Sequence, residues 1–121
     1  MIDPSKLTQA RSNVAPRHNS PFLNQDYVNL VSQGNVIFAT DEWFARAENL
    51  LNDSDPEFVP DLYCDQGKVM DGWESRRRRE AGHDWCVIAL NKRDGLLAEA
   101  FGIEIDTAFF TGNQAPRISI E

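Results

Sequence analysis

The sequence predicts an all-β fold, a β-sandwich with one short helix, on three observations. Apolar runs are short and punctuated by Gly, Pro and Asp turns. Two stretches near the C-terminus alternate apolar and charged or polar residues with a period of two. The chain of 121 residues has 41% hydrophobic and 10% aromatic content, enough for one domain with a buried core but not for two.

The elements follow in order. Residues 1–24 carry Lys6, Arg11 and Arg17 against Asp3, with Pro4, Pro16 and Pro21 among Ser and Asn and no apolar period. This composition predicts a flexible tail, and the folded part, 25–121, holds a net charge of −9 within the chain total of −7. Val36-Ile37-Phe38-Ala39, after the turn-like pair Gly34-Asn35, reads as a strand. Thr40 reads as a helix N-cap, with Asp41 and Glu42 in the first turn, where the helix dipole favours negative charge. Trp43, Phe44, Ala47, Leu50 and Leu51 follow at helical spacing, which predicts a short amphipathic helix. Residues 52–60 hold two prolines and three acids and read as loop. Residues 85–90, apolar on both faces, read as a strand buried between two layers, closed by the turn Lys92-Arg93-Asp94-Gly95. Ile103 and Ile105 alternate with Glu104 and Asp106, and Ile118 and Ile120 with Ser119 and Glu121, which predicts two further strands. The last of these has no turn signal after it, so the module is expected to be truncated before its last strands.

Charge and composition narrow the function. With 12 Lys+Arg against 19 Asp+Glu, the chain lacks the clustered cations of a general nucleic-acid binder. No apolar run approaches the ~20 residues of a membrane span, so a soluble intracellular protein is expected. Cys64 and Cys86 make neither a disulfide framework nor a zinc cluster, and no phosphate loop, metal-type array or nucleophile elbow is present. The reading therefore includes no metal and no cofactor.

Chemistry concentrates in residues 70–85. Asp71, Glu74, four consecutive arginines from Arg76 to Arg79, His83, Asp84, Trp73 and Trp85 lie within sixteen positions. Arginine recognises a carboxylate through paired N–H groups, and a neighbouring His or carboxylate can move protons. An arginine quartet is also a common solvated turn, and in an extended run only two of the four share a face. His83 beside Asp84 also fits a structural hydrogen-bonded pair, and the two tryptophans fit a core or pocket wall. A second candidate, Asp106-Thr107 with Gly112-Asn113, sets polar groups at a strand end. These residues support a β-sandwich with a charged site.

Five segments resemble those of the allantoicase family, in order and at similar separations. They are Phe38–Ala45 with Ala47–Leu50, Met70–Arg77, Gly82–Cys86, Glu104–Thr107 with Phe110–Asn113, and Ala115–Arg117. The resemblance runs from about Tyr27 to Glu121. It implies a hydrolase converting allantoate and water to ureidoglycolate and urea, built from two tandem jelly-roll (galactose-binding-like) β-sandwich modules and assembling as homo-oligomers in the cytoplasm or peroxisome. The chain is similar to most of the first module. It departs from the family at Val31–Asn35, where members commonly have a longer Gly-Gly-containing connection. For such a substrate, Arg76 and Arg77 suit the carboxylate. Asp71 and Glu74 suit general base work or acceptance of ureido N–H groups, the latter shared with Asp106. His83 suits protonation of the leaving nitrogen, with Asp84 orienting its ring, and Thr107 and Asn113 suit a ureido carbonyl. The competing readings are a non-catalytic jelly-roll module that binds a small anion, and an inactive truncated fragment.

Overall fold

The computed structural model describes residues 29–90 and 100–121. The predicted tail over residues 1–24 and the turn at residues 92–95 lie outside the described residues. The regular structure is strand with one 3-10 turn: β1 (Asn35–Ala39), the turn Ala47–Leu51, β2 (Tyr63–Cys64), β3 (Gly67–Lys68) and β4 (Cys86–Ala89). The strands form two separate antiparallel pairs, β1 with β4 and β2 with β3.

The two apolar runs read as strands find each other. Asn35 faces Ala89 and Val36 faces Ile88; after an irregularity, Phe38 faces Val87 and Ala39 faces Cys86. The register leaves Ile37 as one extra residue on β1, a β-bulge. The inserted residue breaks the period of two, so the half-buried positions of β1 are Val36 and Ala39, three apart. Beyond the bulge the ladder continues, with the Thr40 amide donating to the Trp85 carbonyl at 3.0 Å. The Phe38 and Trp85 rings pack tilted by 38°, with 4.7 Å between centroids. β4 is not enclosed between two layers: Trp85 and Val87 are exposed, since among the described residues only β1 pairs with it.

The helix expected from Thr40 does not form there. Thr40 remains on the β ladder, and Phe44 and Ala45 donate their amides to the Glu74 carbonyl at 3.2 and 3.1 Å. Glu74 returns its amide to the Ala45 carbonyl at 3.2 Å, an isolated antiparallel bridge. These amides are the ones an α-helix would need for its own bonds, so the helix is pre-empted. What survives is the 3-10 turn Ala47–Leu51. The Glu42 carboxylate accepts the Ala47 amide, five positions on, at 2.9 Å and so caps the start of that turn. Ala47 is the one fully buried apolar residue among those described.

Residues 52–60 carry no element, as expected. The hairpin β2–β3 turns through Asp65 and Gln66. The alternating stretches 103–106 and 118–121 are not strands. Their isoleucines are exposed, and no neighbouring strand among the described residues supplies the hydrogen-bond partners that extended backbone requires. Both cysteines are free thiols. No helix among the described residues is long and apolar enough to cross a membrane.

Candidate functional site

The bridge between Ala45 and Glu74 holds the segment 70–79 against the chain leaving β1. Three further contacts fasten this junction. The Trp73 indole donates to the Asp41 carbonyl at 2.7 Å, the Asn49 side chain donates to the Gly72 carbonyl at 3.0 Å, and the Phe110 ring lies close against Gly72. Segments distant in sequence, 40–52, 70–79, 84–86 and 110–113, thereby meet.

The arginine run divides by alternation. Arg76 donates from Nε to Asp41 Oδ2 at 2.7 Å, and its guanidinium carbon lies 5.3 Å from the Trp43 ring centroid. Arg78 donates from Nη2 to Asp84 Oδ1 at 2.7 Å. All four arginines are exposed, and among the described residues the ion pairs of the run belong to Arg76 and Arg78.

The two partner carboxylates are well anchored. Asp41 Oδ1 accepts the Trp43 amide at 2.9 Å while Oδ2 holds Arg76. The Trp43 amide first, and the Arg76 guanidinium second, hold the Asp41 carboxyl below its ordinary range. Asp84 accepts Thr40 Oγ1 at 2.9 Å, Ser75 Oγ at 2.9 Å and Arg78. Burial pushes the Asp84 carboxyl up, but the hydrogen bonds from Arg78, Thr40 and Ser75 together outweigh it and leave the group below its usual value. The described bonds of Asp84 thus go to Thr40, Ser75 and Arg78, in place of the expected contact with the His83 ring.

Two residues expected at the site from separate segments meet. Asn113 Nδ2 donates to Glu74 Oε1 at 3.4 Å across 39 positions. Asp71 faces another way: its two oxygens accept the Asn52 side chain at 3.0 Å and the Glu57 amide at 2.8 Å, bracing the 52–57 loop. Asp106 accepts the Ala108 amide at 2.8 Å and the Thr107 carbonyl accepts the Phe110 amide at 3.1 Å, so both shape their own turn. His83 is exposed. Among the described residues, Arg77, His83, Asp106 and Thr107 hydrogen-bond or ion-pair with none of the other candidate residues.

The sequence pattern gives no sign that Asp41 pairs with Arg76, because its place after Thr40 imitates a helix start. Chemically, the arrangement offers an arginine whose Nε is occupied and whose terminal edge faces outward. Beside it in sequence stands a carboxylate that accepts an amide N–H. Together they define a β-rich module in which an exposed, acid-paired arginine stands two residues from a hydrogen-bonded carboxylate.

The chain belongs to the allantoicase family: residues 25–121 match the family described as "Allantoicase repeat". It is 44% identical over 106 residues to "Probable allantoicase 1" of Burkholderia mallei, covering 85% of this chain and 30% of that protein. It is 42% identical over 118 residues to "Allantoicase" of Dictyostelium discoideum, covering 95% of this chain and 30% of the relative. It is 50% identical over 97 residues to "Probable allantoicase" of Rhizobium meliloti, covering 78% and 27%. The chain therefore spans about 30% of the length of these curated relatives. No solved structure matches it.

Proposed function

We propose that this chain supplies substrate-holding residues of an allantoicase-type hydrolase, which converts allantoate and water to ureidoglycolate and urea. The observation that carries the reading is family membership over residues 25–121, supported by the meeting of Arg76, Glu74 and Asn113 segments at one junction. In the complete protein the short strand pairs belong to a jelly-roll sandwich, and the assembly is a homo-oligomer.

Allantoate has one carboxylate and two ureido groups on a central carbon. In the reaction the bond from that carbon to one ureido nitrogen breaks, the nitrogen gains a proton and leaves as urea, and water provides the new hydroxyl. Arg76 and Arg77 take the carboxylate through paired N–H donors. Glu74, already accepting an amide N–H from Asn113, is suited to a ureido N–H or to removal of the water proton. Asn113 and Thr107 serve a ureido carbonyl, and Asp106 a ureido N–H. His83, exposed and free to approach a ligand, protonates the leaving nitrogen. Asp71 stands as the second carboxylate for proton transfer.

Urea release from allantoate tests the reaction. It is measured on this chain and on a full-length relative carrying substitutions at the positions aligned with Arg77 and His83. Arg77→Lys raises KM, because the charge stays while the fork is lost, and His83→Asn lowers kcat. An unchanged KM removes Arg77 from the substrate, and unaltered turnover removes His83 from proton transfer. Because the chain spans about 30% of its relatives, a second reading is a module that binds the anion without turning it over. Saturable allantoate binding without urea release by a full-length protein would favour it.

A further inference from the structure

We propose that Asp41 and Trp43 are positioning residues that aim the Arg76 guanidinium at the substrate carboxylate; this rests on the reading of Arg76 as a carboxylate receptor. A free arginine side chain must give up rotamer freedom on gripping an anion, and that loss subtracts from affinity. Here much of it is given up beforehand. Asp41 takes Nε at 2.7 Å, the Trp43 ring lies against the guanidinium at 5.3 Å, and the two nitrogens at the end of the side chain are left over. The Arg76 side chain is 62% exposed while that of Asp41 is 14% exposed, so the acid is the fixed partner and the arginine reaches outward from it. Asp41 is itself held twice more, by the Trp43 amide on Oδ1 and by the Trp73 indole on its carbonyl. With Nε occupied, the side-on mode of binding a carboxylate is closed and the end-on mode, through both Nη groups, is open. Asp41 also cancels part of the charge of Arg76, so the gain lies in direction rather than in attraction.

Asp41→Asn separates these roles. Asparagine keeps an Oδ1 acceptor for the Trp43 amide and replaces the oxygen facing Arg76 Nε with an NH2 group that cannot accept. Binding to the 121-residue chain is read by isothermal titration calorimetry with allantoate and with diureidomethane, which has two ureido groups on a methylene carbon and no carboxylate. Asp41→Asn is expected to weaken allantoate about tenfold, the scale of one charge-assisted hydrogen bond, and to leave diureidomethane unchanged. Trp43→Leu is expected to weaken allantoate in the same selective way by a smaller factor. Unchanged or tighter allantoate binding in Asp41→Asn overturns the proposal, as does an equal loss for both ligands, which would make Asp41 merely structural. Arg76→Lys keeps the two failures apart. If it binds allantoate as the parent does, or if the parent binds none, the receptor reading itself falls and the positioning role with it.

Discussion

Thr40 and Asp84, 44 positions apart, are joined by a hydrogen bond of 2.9 Å from the Thr40 hydroxyl to the Asp84 carboxylate. The same hydroxyl accepts the Trp85 amide at 3.1 Å, and the Thr40 amide donates to the Trp85 carbonyl at 3.0 Å. One residue thus closes the β1–β4 ladder and fixes the acid that holds Arg78.

Thr40→Val keeps the shape and β preference of the side chain but removes both hydroxyl bonds. It is expected to destabilise the chain by about 1–3 kcal/mol, since a half-buried carboxylate and an amide each lose a partner. Thr40→Ser is expected to recover most of that loss. Urea-induced unfolding checks the pair; equal midpoints for Val and the parent would show that the hydroxyl contributes nothing.

Two close approaches give a second expectation. A Cβ on Gly34 would lie 2.5 Å from the Ala89 carbonyl oxygen, whereas one on Gly72 would meet the edge of the Phe110 ring at 2.7 Å. Backbone pinned in the β1–β4 pair cannot retreat, while a ring can turn aside. Gly34→Ala should therefore cost more than Gly72→Ala, with both in the range of about 1–3 kcal/mol found for overpacking. Thermal melts of the two variants give the order, and the reverse order would contradict this placement of Gly34.

Acid should loosen the junction. Asp41 and Asp84 both titrate lower when folded, so between their folded values and the unfolded value of about 3.9 the unfolded chain binds more protons. The stability they contribute is complete well above that unfolded value, and it is lost as pH falls through the folded ones. Melting temperature against pH should fall less steeply below about pH 4 in Asp84→Asn than in the parent. Superimposable slopes would mean that the carboxylate is not specifically held.

The parts of the fold legible in the sequence were those written in local pattern. Val36–Ala39 and residues 85–90 announced themselves by β-branched and aromatic content, and both became strands. Long-range partners were not legible. Nothing near Thr40 says that Asp84 will take its hydroxyl or that Glu74 will take the amides of Phe44 and Ala45, so a local N-cap pattern suggested a helix that tertiary bonds displaced. Alternation at 103–106 and 118–121 defines two faces but names no neighbour, and those residues stay outside the strands. Among the candidate residues Glu74 and Asn113 meet, which their separation of 39 positions does not announce. The choice of Arg78 over Arg77 as the second paired arginine depends on where Asp84 stands.

Titration of allantoate into the 15N-labelled chain, followed by nuclear magnetic resonance, tests the arginine site most directly. Saturable shifts are predicted for the Arg76 Nε–H, the Asn113 side-chain amide and the Trp43 backbone amide, with the β2–β3 hairpin unmoved. Shifts confined to that hairpin, or none at saturating ligand, would contradict the account.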